Sequence, residues 1–315
     1  MKALFFGTPE IAVAPLDALH EIATIVGVVC QPDRPAGRGL TLHAPPVKLR
    51  ALELGLTVAQ PTKVRTPDFA AWVAERGADL AVVMAYGRIL PPAVLGATAH
   101  GFVNLHASLL PRYRGAAPIQ WAIAAGETET GISLMQMDEG CDTGPVYSKH
   151  PVAIGADTTA GELGAKLGAL AAQVVRRELP RVLSGELRPI PQDDALASSA
   201  PLLEKADGQL DWTERAQRVH DRVRAMTPWP GACSWLDGKR IKVTATRVVS
   251  AEGTAGSPGL ILSLGPAGAA VACGEGVVAV LRAQLEGRRE CSADDLGRGR
   301  CLGVGQVFES RRRDS

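Results

Sequence analysis

The sequence lacks the cysteine patterns that bind zinc or build a disulfide framework. Its six cysteines are scattered and include no C-x-x-C pair, so neither a zinc knuckle nor a disulfide scaffold is indicated. No uncharged apolar stretch approaches the ~18 residues that a membrane-spanning helix needs. The apolar run at the N-terminus is too short for a signal peptide. We therefore expect reduced thiols in a soluble, cytoplasmic protein with no membrane partner.

Several widespread catalytic motifs are also absent. The chain has no G-x-S-x-G nucleophile elbow, no H-E-x-x-H zinc motif and no P-loop, and Gly7-Thr8-Pro9 lacks the three-glycine dinucleotide motif. Hydride transfer and metal-dependent hydrolysis therefore lose support. The net charge of +1 gives no reason by itself to expect a polyanionic partner.

The order of segments in the first two thirds of the chain predicts an α/β fold. Short apolar runs separated by segments long enough for helices are typical of βαβ units. We expect a Rossmann-like, open and mostly parallel sheet with helices on both faces, and a site beyond the carboxyl ends of its strands. The predicted strands are Ala3–Phe6, Ile22–Cys30, Leu80–Ala85, Phe102–Leu105 and Ile132–Met137, and the predicted helices are Pro15–Ile22, Pro46–Leu54, Thr66–Arg76 and Pro118–Ala125.

The last third has a different pattern, as expected for a second domain in a chain of 315 residues. A helix over Thr158–Leu183 is followed by a stretch rich in Pro, Ser, Asp and Gly, which predicts a linker. After an amphipathic helix over Glu214–Met226, short β-branched runs predict a small, OB-like β-barrel of about five or six strands. We expect a catalytic domain over residues 1–184, a linker over 185–209 and a barrel over 210–315.

Two polar residues lie at the end of one predicted strand. Asn104 and His106 are two residues apart, and the period of two in a strand places both side chains on one side. An amide and an imidazole directed at one oxygen have the composition of an oxyanion site. Each residue alone is more often structural, because a strand-end His or Asn usually satisfies a nearby backbone group. Two such donors at the end of one buried strand favour the binding of a small target.

A carboxylate follows in the loop after the next predicted strand. Asp142 could orient the imidazole, raise its basicity, or accept a proton from an attacking amine. Turn formation is the alternative for this loop, and we assign that role to Asp138 and Glu139. Cys141 has no neighbouring cation to lower its pKa, so we expect it to be a bystander rather than a nucleophile.

Together, these motifs resemble the signature of formyltransferases that use 10-formyltetrahydrofolate. Asn104 and His106 are followed by Ser108-Leu109-Leu110-Pro111 and Arg114-Gly115, with Asp142 downstream. The likeness runs nearly from end to end and is strongest to the members that act on methionyl-tRNA. It also includes Phe6-Gly7-Thr8-Pro9, the segment Gln31–Gly39, the segment Gly115–Gln120 and Pro228-Trp229-Pro230-Gly231.

The resemblance implies an enzyme that transfers a formyl group from 10-formyltetrahydrofolate to the α-amine of initiator methionyl-tRNA, for translation initiation, without a metal. Asn104 and His106 would stabilise the oxyanion, and Asp142 would position His106 and assist proton removal. We expect a monomer. The folate site is implied at Ser108, Leu109, Leu110 and Pro111, and near Tyr86, Gly87, Ile89 and Leu90.

Basic residues in two places are candidates for contact with the tRNA. Arg34 and Arg38 lie in a segment, Gln31–Leu42, that is too irregular for a helix and too basic for a core, which suits insertion against a phosphate backbone. The resemblance implies this role for Arg38 in particular. A flexible surface loop or a solvated charged face is the alternative. In the second domain the candidates are Lys239, Arg240 and Lys242, and on the helix before them Arg215, Arg218, Arg222 and Arg224.

Two other functions are compatible with parts of this pattern. A formyltransferase acting on a small amine, such as a nucleotide sugar or glycinamide ribonucleotide, would keep the catalytic trio of Asn104, His106 and Asp142. It would not require the basic Arg34–Arg38 loop or a separate barrel. An RNA-binding protein of this fold without turnover would not need the intact set of Asn104, His106 and Asp142.

Overall fold

The computed structural model describes residues 1–36 and 41–310, so Arg38 lies outside the described residues. The chain divides into two compact units. None of the helices in the described ranges is long and apolar enough to cross a membrane. The first unit comprises Met1–Pro118, Glu129–Ala153 and Gly164–Pro201, and the second comprises Ile119–Thr128, Ile154–Leu163 and Leu202–Ser315.

A seven-stranded sheet forms the centre of the first unit. The strands of this unit are β1 (Lys2–Gly7), β2 (Thr24–Val29), β3 (Arg34–Ala36), β4 (Thr41–His43), β5 (Val58–Ala59), β6 (Leu80–Met84), β7 (Phe102–His106), β8 (Glu129–Gln136) and β9 (Val146–Ala153). The sheet order is β5-β2-β1-β6-β7-β8-β9. The first five strands in this order pair in parallel. β8 pairs antiparallel with β7, and β9 pairs antiparallel with β8. The predicted open, mostly parallel sheet is confirmed.

The helices begin where the sequence provides a start signal. Thr66 accepts a hydrogen bond from the Phe69 amide at 3.3 Å, and Pro67 occupies the first helical position, where its missing N–H costs nothing. The predicted helices are confirmed to within about two residues at each end. The eight helices of the described residues are α1 (Val13–Ile22), α2 (Pro46–Glu53), α3 (Pro67–Glu75), α4 (Pro92–Leu95), α5 (Pro118–Ala124), α6 (Ala160–Leu183), α7 (Ala216–Ala225) and α8 (Ala293–Arg298).

Several elements of the first unit were not predicted, among them the short strand β5 and the one-turn helix α4. Strand β9 was missed because most of its residues are half-buried or exposed, so it contains no apolar run. The segment around Arg34 was expected to be irregular, but β3 and β4 pair as a short antiparallel hairpin in which Arg34 lies opposite His43.

Aromatic packing fixes the ends of the central strands. The Phe6 ring, near the end of β1, lies edge-on to Tyr86 at 5.4 Å and to Phe102 at 5.2 Å between ring centroids. These rings are buried in one apolar cluster with Leu90 and Val94, and burial of each large side chain contributes about 1.5–3 kcal/mol. The strand ends that bear the polar residues described below therefore rest on a packed core.

The second unit is a closed antiparallel sheet. Its strands are β10 (Ala232–Leu236), β11 (Lys239–Ser250), β12 (Ile261–Gly265), β13 (Gly268–Ala272), β14 (Val277–Leu285) and β15 (Cys291–Ser292). The order is β10-β11-β14-β13-β12, with β15 on β14. The segment after α8 joins the two edges, because Glu309 exchanges backbone hydrogen bonds with Trp235 while the Phe308 amide donates to Gly259. The predicted small barrel is confirmed, although β10 was not among the predicted runs.

Candidate active site

The end of β7 and the loop after β8 bring three polar side chains together. The Asn104 amide nitrogen Nδ2 donates to Oδ1 of Asp142 at 3.2 Å, and Nδ1 of His106 lies 3.5 Å from Oδ2 of the same carboxylate. The side chains of His106 and Asp142 are only 5% and 15% exposed. Asn104 and His106 thus lie on one side of β7, as the period of two predicts, and both reach Asp142.

The Asp142 carboxylate is held by its own loop and by the backbone of a second one. Asp142 has a φ of +56°, a left-handed conformation that is costly for a residue with a side chain. The Gly115 amide donates to Oδ2 at 2.9 Å. Earlier in the loop, Asp138 accepts hydrogen bonds from the Gly140 amide and the Thr143 hydroxyl, which confirms the turn role expected for Asp138.

The protonation pattern of the His106 ring follows from its two neighbours. Nε2 lies 2.9 Å from the carbonyl oxygen of Tyr113, and because a carbonyl only accepts, Nε2 carries a hydrogen. Nδ1 is then the nitrogen that can exchange a proton, and it faces the Asp142 carboxylate. A hydrogen on Nδ1 would point toward Oδ2 of Asp142, 3.5 Å away.

A network of buried hydroxyl groups shapes the loop from Ser108 to Arg112. The Ser133 hydroxyl donates to the Ser108 carbonyl at 2.7 Å and accepts from the Leu110 amide at 3.0 Å. The Ser108 hydroxyl donates to the Arg112 carbonyl at 2.6 Å. Ser108, Leu110 and Pro111 are buried, and Leu109 is half-buried. Ser108 and Leu110 are therefore used to build the loop, and their predicted contact with folate stays a prediction.

Glycine is required where this loop meets a distant segment. Gly115 has a φ of +126°, a conformation that L side chains rarely adopt, and a Cβ atom there would lie 2.5 Å from the Ala200 carbonyl oxygen. The Ala117 amide donates to that same carbonyl. The Arg114-Gly115 pair of the sequence motif thus allows close approach of two backbones, which places the Gly115 amide at Asp142.

A cleft of about 730 Å³ lies in the first unit beside the loop that carries Asp142. Ile89 and Leu90 line it, whereas the Tyr86 side chain is in the apolar core, and the predicted contact of these residues with folate stays a prediction. Burial raises the pKa of Tyr86 to about 12. Glu139, assigned to a turn from sequence, also lines the cleft. The full lining is Arg65, Thr66, Pro67, Ala70, Ile89, Leu90, Pro91, Pro92, Ala93 and Glu139.

The described residues contain no group of three or more His, Cys, Asp or Glu side chains placed to hold a metal ion. The Cys141 thiol is next to the trio, but partial desolvation and the negative charge of Asp142 raise its pKa. A neutral thiol is a poor nucleophile, which agrees with the bystander role expected for Cys141.

Sequence reasoning missed Gln192, a member of the segment predicted to be a linker. Its side-chain amide donates to the carbonyl oxygens of Asp142 at 2.8 Å and Gly144 at 2.7 Å. Its Oε1 accepts from Arg114. A single glutamine 50 residues beyond Asp142 in a Pro-rich stretch carries no signal that would have marked it from sequence.

The basic candidates in the second unit fall into two groups. Lys239 and Arg240 are exposed on β11, and Lys242 packs beside Gly231. Arg224 is buried and ion-paired to Asp221 at 2.8 Å, so its prediction as a phosphate contact is wrong: charge alone does not reveal a buried partner. In the first unit, Arg34 is exposed.

Two further arginines of α7 have structural contacts as well. The Arg218 guanidinium donates to the Ala124 carbonyl at 3.0 Å, and that of Arg222 lies 5.9 Å from the centre of the Trp121 ring. These side chains help to hold α7 against its neighbours, which lowers their value as candidates for contact with a phosphate backbone.

Two family models cover most of the chain. Residues 1–179 match the model described as formyl transferase, and residues 202–300 match the formyl transferase C-terminal domain. The boundary between the matches falls in the segment that contains Gln192.

Curated relatives and a solved structure are similar over nearly the whole length. A methionyl-tRNA formyltransferase of Sorangium cellulosum is 61% identical over 98% of this chain and 99% of the relative, and one of Myxococcus xanthus is 52% identical over 96% of each. The crystal structure of an N-formyltransferase from Helicobacter canadensis in complex with folinic acid and dTDP-3-aminofucose gives a TM-score of 0.69 at 16% identity, over 89% of this chain and 98% of the other. At that identity the structural likeness shows the fold alone.

Proposed function

The chain belongs to the formyltransferase family, and on this premise we propose that it transfers a formyl group from 10-formyltetrahydrofolate to the α-amine of initiator methionyl-tRNA. The observation that carries the proposal is the convergence of Asn104 and His106 on Asp142. Relatives named methionyl-tRNA formyltransferase, which align over 98% and 96% of the chain, support the choice of acceptor.

The amide of Asn104 suits the stabilisation of a carbonyl oxygen that gains negative charge during the reaction. 10-Formyltetrahydrofolate supplies the formyl group, and the acceptor amine replaces the folate nitrogen on the formyl carbon. One hydrogen of the Asn104 amide is directed at Asp142, which fixes the amide plane and leaves the second hydrogen to donate to the formyl oxygen. A fixed donor aimed at a developing oxyanion contributes about 10²- to 10³-fold to turnover.

His106 and Asp142 suit the proton transfers that the attacking amine requires. An attacking amine must lose a proton as its bond to the formyl carbon forms, and the leaving nitrogen must gain one. The Asp142 carboxylate and Nδ1 of His106, 3.5 Å apart, can take up that proton and share it. The Tyr113 carbonyl keeps Nε2 protonated, so exchange is confined to the side of the ring that faces Asp142.

The cleft beside Asp142 fits the proposed folate site. Its volume of about 730 Å³ lies within the range of about 300–1,000 Å³ that is usual for ligand pockets, which are mostly apolar with few polar groups. Ile89, Leu90 and Pro91 provide apolar surface, and Glu139 and Arg65 provide polar groups. We propose that the pterin binds along Ile89 and Leu90 and that Leu109 contacts it.

The tRNA contacts are proposed on charge and exposure. Arg34 is exposed on the β3–β4 hairpin, and Lys239 and Arg240 are exposed on β11. Lys242 is half-buried two residues further along the same face. Arg38 remains a candidate from sequence. We further propose a cytoplasmic monomer with the domain boundaries expected above.

The decisive experiment is a formylation assay on both classes of acceptor. Purified protein is incubated with 10-formyltetrahydrofolate and either charged initiator methionyl-tRNA, charged elongator methionyl-tRNA or a dTDP-amino sugar, and the formylated product is quantified. We expect rapid formylation of the initiator tRNA and slower reaction with the elongator. Formylation of the amino sugar without formylation of either tRNA would overturn the proposal.

A further inference from the structure

Gln192 is the link between the two loops that hold the proposed catalytic trio. Among residues 191–199 it is the only one that is not fully exposed, which shows that its side chain turns inward from an otherwise solvent-facing stretch. All four hydrogen bonds of its side chain go to these loops: two are donated to the Asp142 loop, and two are accepted from Arg114.

The side-chain amide of Gln192 holds the backbone of the Asp142 loop. Asp142 has a φ of +56°, in the left-handed region that Asp adopts more readily than most residues with a side chain. The Gln192 amide donates to the carbonyl of Asp142 itself and to that of Gly144. Each such hydrogen bond contributes about 0.5–1.5 kcal/mol, so the two together favour one orientation of the Asp142 peptide.

The side-chain oxygen of Gln192 holds Arg114, whose two sequence neighbours contact the trio. Its Oε1 accepts from Nε of Arg114 at 3.0 Å and from a terminal nitrogen at 2.8 Å. Tyr113, just before Arg114, accepts a hydrogen bond from His106 through its carbonyl. Gly115, just after Arg114, donates its amide to Asp142. The glutamine therefore fixes the backbone that contacts both His106 and Asp142.

We propose that Gln192 is a positioning residue for formyl transfer, which sets the distance and angle between the Asp142 carboxylate and the His106 ring without contacting either substrate. The proposal rests on the proposed function for the reaction that the trio performs. The geometric part, that Gln192 controls the His106–Asp142 arrangement, stands without any substrate and can be tested in its absence.

A matched pair of variants separates the donor role of Gln192 from simple anchoring. Gln192→Glu keeps the length of the side chain and its acceptor for Arg114, but replaces both N–H donors by an oxygen that faces two carbonyls. Asp194→Asn removes the negative charge of the other partner of Arg114, which forms an ion pair of 2.7 Å, while leaving the contacts of Gln192 intact. Thermal unfolding of both variants checks that each is folded.

We expect Gln192→Glu to lower kcat by about 10- to 100-fold, since small misplacements of catalytic groups have effects of this size. The KM values for 10-formyltetrahydrofolate and methionyl-tRNA should change less than about threefold, because no substrate contact is removed. Asp194→Asn should retain wild-type kcat. Wild-type kcat in Gln192→Glu, or an equal loss in Asp194→Asn, would overturn the proposal.

The ring nitrogens of His106 give a readout that needs no activity. In protein labelled with ¹⁵N-histidine, and with the His106 signals assigned from a His106→Gln variant, the Nδ1 resonance of wild-type protein reports the neighbouring carboxylate. We expect that resonance to move in Gln192→Glu and to stay in place in Asp194→Asn. An unmoved resonance in Gln192→Glu contradicts the positioning role even if kcat falls. Absence of formylation by wild-type protein would instead refute the proposed function.

Discussion

The Nε2–H of His106 donates to the Tyr113 carbonyl at 2.9 Å, and Tyr113 itself has a φ of +60°. A left-handed conformation in a residue with a large side chain costs about 1–2 kcal/mol and is retained where its surroundings enforce it. Here the conformation accompanies a carbonyl directed at the imidazole. The contact requires a hydrogen on Nε2, so Nδ1, which faces Asp142, is the ring nitrogen that is left to gain or lose a hydrogen.

Replacing the carboxylate of Asp142 by an amide tests this pairing. Asp142→Asn keeps the shape of the side chain but cannot take up a proton from the amine or share one with His106. We expect turnover to fall by about 10²-fold or more, with tRNA affinity close to that of the wild type. Single-turnover formylation and a filter-binding assay measure the two quantities separately. Wild-type turnover would remove Asp142 from proton transfer.

The buried hydroxyl of Tyr86 gives a prediction about the folate site. Within the described residues its oxygen is buried and has no hydrogen-bond partner, and an unsatisfied buried hydroxyl is destabilising. We expect Tyr86→Phe to leave the free energy of unfolding unchanged or to raise it by up to about 1 kcal/mol. Urea denaturation measures this, and the KM for 10-formyltetrahydrofolate should not change. A clear rise in that KM would show instead that the hydroxyl binds folate.

His150 on β9 should make the protein less stable in mild acid. Burial and the Arg177 guanidinium lower the pKa of His150 below 6.5, although Glu178 opposes this. Arg177 donates to Nδ1 at 2.9 Å, which requires the neutral ring. Because the unfolded chain binds the proton more readily, the contribution of His150 to stability is present above pH 6.5 and is lost progressively as the pH falls below it.

The His150→Asn variant tests this dependence, since an Asn oxygen can still accept from Arg177 but does not titrate. We expect its free energy of unfolding to decrease less than that of the wild type between about pH 7 and pH 5.5. Chemical denaturation at several pH values gives both curves. Parallel curves would exclude His150 as a source of the pH dependence.

The exposed basic residues of β11 should contribute to tRNA affinity and not to stability. Arg240→Ala should raise the Kd for methionyl-tRNA severalfold and reduce the slope of log affinity against log salt by about one. The melting temperature should not change, because Arg240 is exposed. Arg247→Ala is the control, as Arg247 is an exposed arginine further along the same strand. Equal losses in both variants would indicate non-specific attraction rather than a defined contact.

Local pattern was sufficient to predict most of the longer helices and strands and the pairing of two residues of the candidate site. The period of two in β7 placed Asn104 and His106 together, and the βαβ rhythm placed them at the end of a buried strand. Asp142 was recognised as a candidate from its loop, but its φ of +56° and its contact with the Gly115 amide depend on chain segments that meet only in the folded protein.

The features that sequence did not reveal depend on distant partners. Gln192 reaches Asp142 across 50 residues, and nothing in its Pro-rich surroundings distinguishes it from a solvated side chain. Arg224 is similar to its neighbours in sequence, yet its burial against Asp221 makes it part of the interior of the second unit. Local periodicity indicates which face of an element is apolar, but it does not identify the polar partner on another element.

Phe308 and Glu309 form hydrogen bonds to opposite edges of the second-unit sheet. The short segment that contains them therefore closes the barrel. A polypeptide that stops before Val307 would leave the backbone groups of β10 and of the residues just before β12 open to pairing with another molecule. Unprotected strand edges template aggregation. During synthesis the barrel can close only after Glu309 has left the ribosome, and an affinity tag that follows the barrel should be attached beyond Ser310.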